Sequence, residues 1–336
     1  MNGKGKNKSA AKSFWLSAIA VILIFLMFNL SVYMVFTRRL ANNFSGASQA
    51  KMIDVGKYLP FEKNSELARV DSSLKLTDNL PVLDGAAALV PVYASIIDCV
   101  YPVGSVTYEG GKFSDDNFYG ENFAADSKMQ YKNTVRGYKA IVDGDTDILF
   151  SAAPSEEQKK YAEEKGVELV YVPIGLEGFV FFVNENNPVD SLTVDQVRGI
   201  YSGKYKNWSQ VGGKNRAMNP VTRLEGSGSQ TAMEKFMGDQ KIGKKSLFAV
   251  TGASIGFSFR YYMDGIVYNG SVKMLSLNGV YPSAENIRYG KYPIVAKFYA
   301  VYRADNNNEN IPTLVDWILS DEGQTLIEKS GYVSIK

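Results

Sequence analysis

Residues 223–229 read Arg-Leu-Glu-Gly-Ser-Gly-Ser, and residues 230–237, Gln-Thr-Ala-Met-Glu-Lys-Phe-Met, follow with Met233, Phe236 and Met237 at helical spacing. A glycine-serine turn therefore opens a helix. The first backbone N–H groups of a helix have no intrahelical partner, and the helix dipole adds positive potential around them. Glycines let the backbone approach a ligand closely, Ser227 and Ser229 add hydroxyl donors, and Arg223 adds a fixed fork of N–H groups. Together these make an anion cradle. By composition alone, the plainer reading is an ordinary Gly/Ser loop with a serine N-cap. No Gly-Lys-Ser/Thr follows, so this is not a Walker-type phosphate loop.

Two further helix starts could contribute. After Leu83-Asp84-Gly85, the residues Ala86, Ala87 and Ala88 offer backbone N–H groups and no hydroxyls, with Asp84 a candidate cap. Asn133-Thr134 precedes a helical stretch over residues 135–142, where an N-cap role is again the plainer reading. Several helix starts converging on one cleft would bind an anion through neutral dipoles. No carboxylate spacing marks a general acid and base: Glu156-Glu157 and Glu163-Glu164 look like solvated helix faces. Trp208 and Trp317 read as core. The single cysteine, Cys99, lies in an apolar run and reads as a small buried hydrophobe.

Composition narrows the function further. The chain of 336 residues has no histidine, which excludes the Ser-His-Asp and Cys-His arrangements and most zinc sites. A net charge of +2 gives no electrostatic case for nucleic acid. Nothing in the sequence asks for a cofactor or metal. Residues 14–36 carry no charge and are long enough to span a bilayer as a helix. Lys4, Lys6, Lys8 and Lys12 precede that run, and Arg38 and Arg39 follow it. The lysine cluster orients the N-terminus to the cytoplasm and places the rest outside. The run is longer than a signal peptide's apolar region and lacks a small-residue cleavage site, so it is expected to remain as an anchor.

The elements that must position these residues alternate. Residues 37–79 are mostly polar without a period and are expected to form a stalk. A short strand at 81–83 precedes a nearly all-apolar helix over 86–100, stopped by Pro102, and residues 103–130 look like a long loop. A strand is expected at 147–151. Ser155 with Gln158, and Thr193 with Gln196, form capping boxes opening two helices. Strands are expected at 168–172 and 178–183, and a final helix begins near Pro312. Strand and helix in alternation indicate an α/β fold with mainly parallel pairing.

In their order, these motifs resemble the type II periplasmic-binding-protein superfamily, specifically the phosphate-binding subunits of ABC-type phosphate transporters. The matching residues are Asp84-Gly85-Ala86-Ala87-Ala88-Leu89, Asp143-Gly-Asp-Thr-Asp-Ile148, Ala153-Pro154-Ser155-Glu-Glu-Gln158 and Arg223 through Ser229, continued by Gly256-Phe-Ser-Phe-Arg260 and Asp316-Trp-Ile-Leu-Ser320. The resemblance covers roughly residues 80–336 and implies two α/β lobes joined by crossing strands, with ligand between them. Lobe I would hold residues 80–173 and 297–336, and lobe II residues 174–296, behind a cytoplasmic tail (1–13), the membrane helix (14–36) and the stalk (37–79).

The ligand contacts implied by the resemblance fall on Arg223, Ser227, Gly228, Ser229 and Thr134, with Ala87, Ala88 and Ser151 in the other two loops. Two positions depart from the pattern. The first loop usually carries Ser or Thr where this chain has alanines. The loop at Ser151-Ala152-Ala153-Pro154 lacks the Asp that often accepts the phosphate's own proton. The expectation is a membrane-anchored extracytoplasmic solute-binding protein. It would capture phosphate or a related small oxyanion for an ABC transporter permease, without catalysis. The alternative is a degenerate binding domain serving as a surface sensor or interaction module.

Overall fold

The computed structural model describes residues 15–16, 19, 22–33, 53–113, 119–223, 225–243, 253–263 and 272–336. The chain divides into two units, residues 1–50 and 51–336. In the first, the described residues are helical and exposed throughout. Its two polar side chains at 29 and 31 turn back onto the helix: Asn29 donates to the Phe25 carbonyl and Ser31 to that of Met27. Among the described residues no helix is long and apolar enough to cross a membrane. Residues 14, 17–18, 20–21 and 34–36 of the expected 14–36 span lie outside the described residues.

The second unit is an α/β fold of two lobes. Its strands are β1 (Leu83–Gly85), β2 (Tyr108–Phe113), β3 (Tyr119–Phe123), β4 (Ile148–Ala152), β5 (Leu169–Asn184), β6 (Ser191–Leu192), β7 (Asn219–Pro220), β8 (Ser254–Phe259), β9 (Val272–Met274), β10 (Ser276–Leu277) and β11 (Val295–Arg303). Its α-helices are α1 (Val90–Val100), α2 (Asn133–Asp143), α3 (Glu156–Glu164), α4 (Val194–Tyr201), α5 (Gly228–Met237), α6 (Ala284–Arg288), α7 (Asn310–Leu319) and α8 (Asp321–Lys329). The main sheet runs β1-β4-β11-β5-β8-β7, with β9 also on β5. Pairing is parallel at β1–β4 and β7–β8 and antiparallel wherever β5 or β11 takes part. The mainly parallel sheet expected from the alternation is therefore mixed, because the two long strands run against their neighbours.

Strands β5 and β11 join the lobes. Two strands were expected at 168–172 and 178–183; instead β5 is continuous through Pro173, Gly175 and Gly178. The two glycines thin the strand where the lobes meet. A Cβ on Gly175 would stand 2.1 Å from the Phe298 ring, so only glycine admits that close approach. On one side of the crossing, Leu83, Tyr93, Ile97, Phe150, Ile174, Ala300, Leu314 and Ile318 belong to the core of lobe I. On the other, Phe179, Phe181, Val197, Trp208, Met233 and Phe257 belong to the core of lobe II. Tyr138, Ile141, Leu149, Ala162 and Val301 form a smaller cluster under α2 and α3.

Residues 53–79, expected to be stalk, pack on lobe I instead. Ile53, Val55, Tyr58, Leu67 and Leu76 are buried in its core, widely enough spaced that no period reveals them. Arg69 clasps Asp98 at 2.7 Å, and Glu322 accepts the N–H and hydroxyl of Ser73. The long loop expected at 103–130 contains the β2–β3 hairpin, and the C-terminal helix is two helices, α7 and α8, punctuated by the N-capping Ser320.

Candidate functional site

The start of α5 is built as its sequence suggests. Ser227 is the N-cap, accepting the Gln230 N–H at 3.3 Å. Thr231 N–H bonds to the Ser227 carbonyl at 2.9 Å, beginning the helical ladder. The N–H groups of Gly228 and Ser229 find no acceptor among the described residues and remain available to a ligand. Arg223 is held beside them. Its own N–H donates to the Gln230 side chain at 3.0 Å, and its guanidinium is hydrogen-bonded to the Tyr262 hydroxyl.

Lobe I brings two loops to the same place. After β1 the chain enters a single 3-10 turn at Ala87–Leu89 before α1 begins at Val90. Asp84 caps nothing. It is fully buried, accepting the N–H groups of Gly85 at 2.7 Å and of Lys132 at 2.8 Å, with the Lys132 ammonium 3.4 Å away. Burial raises its pKa, while Lys132 and the two N–H groups oppose that shift. Asp84 thus pins the β1 end to the segment that leads into α2. That helix starts at Asn133 rather than after it, with Lys132 as N-cap and no side-chain cap. Asn133 adopts φ 62°, a conformation asparagine tolerates, and its Oδ1 accepts the Thr134 N–H at 2.7 Å. Thr134 is therefore the second helical residue, its hydroxyl facing α5.

These pieces converge on one cleft, whose lining includes Ala87, Ala88, Thr134, Arg223, Ser227, Gly228 and Ser229. A Cβ placed on Gly228 would stand 3.5 Å from the Ala152 methyl and 3.9 Å from the Thr134 hydroxyl, so elements of both lobes meet at the helix start. Ser151 is the exception. It is fully buried on β4, beside Tyr138, and Ala152 lines the cleft in its stead. Successive residues of a strand face opposite sides, so one step along β4 exchanges the two.

Four lining residues escaped the sequence reading: Glu177, Tyr262, Lys297 and Tyr332. Glu177 and Lys297 lie on the crossing strands, where no helix start draws notice. Glu177 is the one carboxylate in the lining, and its bonds are already made. It accepts the N–H groups of Gly178 at 2.8 Å and Tyr261 at 3.2 Å, and lies 3.3 Å from Arg260 Nε. Burial pushes its pKa up to about 7 against the pull of Arg260 and the N–H donors. Arg260 also donates to the Gly331 carbonyl at 2.6 Å, and the Tyr332 hydroxyl donates to the Ala88 carbonyl, so the C-terminal segment props the first loop. At the rim Gln158 Nε2 donates across the lobes to the Gly226 carbonyl at 3.0 Å.

Two α/β lobes on two crossing strands, with a donor-rich cleft at the junction, define a two-lobed binding protein. The profile of the PBP superfamily domain matches residues 114–322, and the chain belongs to that superfamily. The Bacillus subtilis phosphate-binding protein PstS is 27% identical over 233 residues, covering 66% of this chain and 75% of that protein. Protein SphX of Synechococcus elongatus is 25% identical over 303 residues, covering 77% and 88%. Among solved structures, a Clostridium perfringens protein crystallised with bound phosphate superposes with a TM-score of 0.55 at 23% identity, over 78% of this chain and all of that one. An ABC-type phosphate transport receptor from Vibrio cholerae gives 0.50 at 19%, over 77% and 99%. These likenesses support the two-lobed fold of a phosphate-transporter substrate-binding protein.

Proposed function

We propose that this chain is an extracytoplasmic substrate-binding protein that captures a tetrahedral oxyanion, with phosphate as the leading candidate, and passes it to an ABC transporter permease. One observation carries the reading: Arg223, the unpartnered N–H groups of Gly228 and Ser229, and the Thr134 hydroxyl line one cleft at the lobe junction. The curated relatives bear the name phosphate-binding protein PstS, which makes phosphate the first ligand to try. Capture requires no chemical step, and the carboxylate in the cleft is committed to its own partners.

The N-terminal segment serves in this reading as a membrane anchor with its N-terminus in the cytoplasm. What supports it is the uncharged run over residues 14–36 behind four lysines, and the exposure of Trp15, Ile22, Leu23, Phe25, Leu26 and Phe28, which water would not tolerate together. Protease added to intact cells should remove residues beyond Arg39, whereas complete protection on an accessible surface would reverse the topology. Binding is tested by calorimetry of the full-length chain in detergent with inorganic phosphate and sulfate. Saturable one-to-one uptake of phosphate supports capture. No uptake of either anion favours the sensor or interaction module that the alanines at 86–88 suggest.

A further inference from the structure

A second cavity meets the first at the lobe junction. Ala152, Gly228, Phe259 and Lys297 line both. The second cavity is lined by three cationic side chains, Arg198, Lys235 and Lys297, and by no carboxylate. Arg198 is fixed there: its Nε donates to the Phe236 carbonyl at 2.9 Å and its guanidinium lies over the Phe236 ring, 5.0 Å from the centroid. Lys235 and Lys297 make no ion pair among the described residues. Lys235 acts on the exposed Glu156, which is already paired with Lys159 at 2.6 Å. Three like charges gathered without a counter-charge repel one another, and an anion between them relieves that repulsion.

Thr231 supplies an independent observation. It lines the second cavity, is 5% exposed, and its hydroxyl oxygen is enclosed with no hydrogen-bond partner among the described residues. A threonine inside a helix ordinarily satisfies itself on the carbonyl four residues back, and a buried hydroxyl left unpaired costs roughly 1–3 kcal/mol. A turn of the Thr231 side chain would bring that hydroxyl to the cavity, where a ligand acceptor would satisfy it. The first cavity contributes the complementary fact. It is rich in donors, and Glu177, its single carboxylate, already accepts two backbone N–H groups beside Arg260, so a proton carried by the ligand would compete with those partners there. A phosphoryl oxygen that bears a substituent in place of a proton loses nothing at such a site.

We propose that the ligand is a phosphoryl compound carrying a second anionic group, with its phosphoryl head in the Arg223–Ser229 cradle and its second anion among Arg198, Lys235, Lys297 and the Thr231 hydroxyl. The proposal rests on the reading of the first cleft as an oxyanion site and deepens it to a ligand class. Where the two cavities meet beside Gly228 stand the Ala152 methyl and the Phe259 ring, neither of them charged.

The test titrates the full-length chain in detergent with three probes: inorganic phosphate, 3-phosphonopropionate, and butylphosphonate, which has the same length and an uncharged end. The expected result is that 3-phosphonopropionate binds about tenfold or more tighter than butylphosphonate, the worth of one charge-assisted contact. Lys235→Gln and Thr231→Val should each cut that advantage several-fold while leaving phosphate affinity unchanged. Ala152→Asp, which sets a negative charge between the cavities, should abolish it. Equal affinity for the two phosphonates, or an advantage indifferent to Lys235→Gln and Thr231→Val, would overturn the second subsite. Phosphate binding with both phosphonates rejected would also overturn it and leave the first cleft intact. Failure of all three probes would remove both readings.

Discussion

The two walls of the cleft are built from different materials. Lobe II presents a guanidinium, two serine hydroxyls and the open end of a ten-residue helix, all within the seven residues from Arg223 to Ser229. Lobe I presents the backbone of Ala87 and Ala88, the methyl of Ala152, the Thr134 hydroxyl and the Tyr332 hydroxyl, which is already donated to the Ala88 carbonyl, while Lys297 enters from the crossing strand β11 between the walls. Its charge pair of Asp84 with Lys132 is turned inward to hold the loops together. One wall is thus suited to attract and orient an anion, and the other to cover it. Binding energy should then be concentrated in lobe II, with lobe I adding small neutral increments and the geometry of closure.

Arg223→Ala should have the largest effect. A charge-assisted hydrogen bond contributes on the order of 2–3 kcal/mol, so phosphate affinity by calorimetry should fall roughly 30- to 150-fold. Arg223→Lys should recover only part of the loss, because the ammonium lacks the planar fork. Thr134→Val should cost much less, about fivefold, the worth of one neutral hydrogen bond. A loss at Thr134 equal to that at Arg223 would break the asymmetry between the walls.

Gln158→Ala tests the rim. It removes the interlobe bond to Gly226 together with one arm of the α3 capping box. Affinity should weaken about two- to fourfold if closure is coupled to binding, with circular dichroism showing the helix retained. Lobe II residues alone would be indifferent to it.

The smallest effect on binding, but a visible one on stability, comes from the crossing. Glu177 has its pKa raised in the folded chain to about 7, mainly by burial. Between about pH 4.5 and 7 the folded chain holds a proton that the unfolded chain releases. This contribution to stability is complete below about 4.5 and is lost as pH rises through about 7. Melting temperature should therefore decline across that window, and Glu177→Gln should flatten the decline. An unchanged slope in the variant would place the titration elsewhere.

Much of the attracting wall was legible in the sequence because it is local. Arg223, Ser227, Gly228 and Ser229 lie within one turn and one helix start, and the spacing of Met233, Phe236 and Met237 announces that helix. The capping boxes at Ser155 and Thr193 are likewise short-range, and both form. The covering wall depends on long-range pairing. That β11 lies between β4 and β5, carrying Lys297 to the cleft, follows from contacts between residues more than a hundred positions apart. Glu177 was hidden for the same reason, since its partners Arg260 and Tyr261 arrive from the end of β8. Ser151 was assigned to the site one residue too early because strand alternation cannot be phased without the register against β11, where Ser151 pairs with Tyr299 and Ala152 with Phe298. The packing of residues 53–79 on lobe I was invisible because isolated apolar residues such as Val55 and Leu67 carry no period.

The most direct measurement is a crystal structure of the complex with inorganic phosphate. The phosphorus should lie at the start of α5, with its oxygens within hydrogen-bond reach of the Arg223 guanidinium and of the Gly228 and Ser229 N–H groups. At most one side-chain hydroxyl, that of Thr134, should reach it from lobe I. Phosphate bound away from α5, or held chiefly by lobe I with Arg223 still turned to Tyr262, would contradict the account.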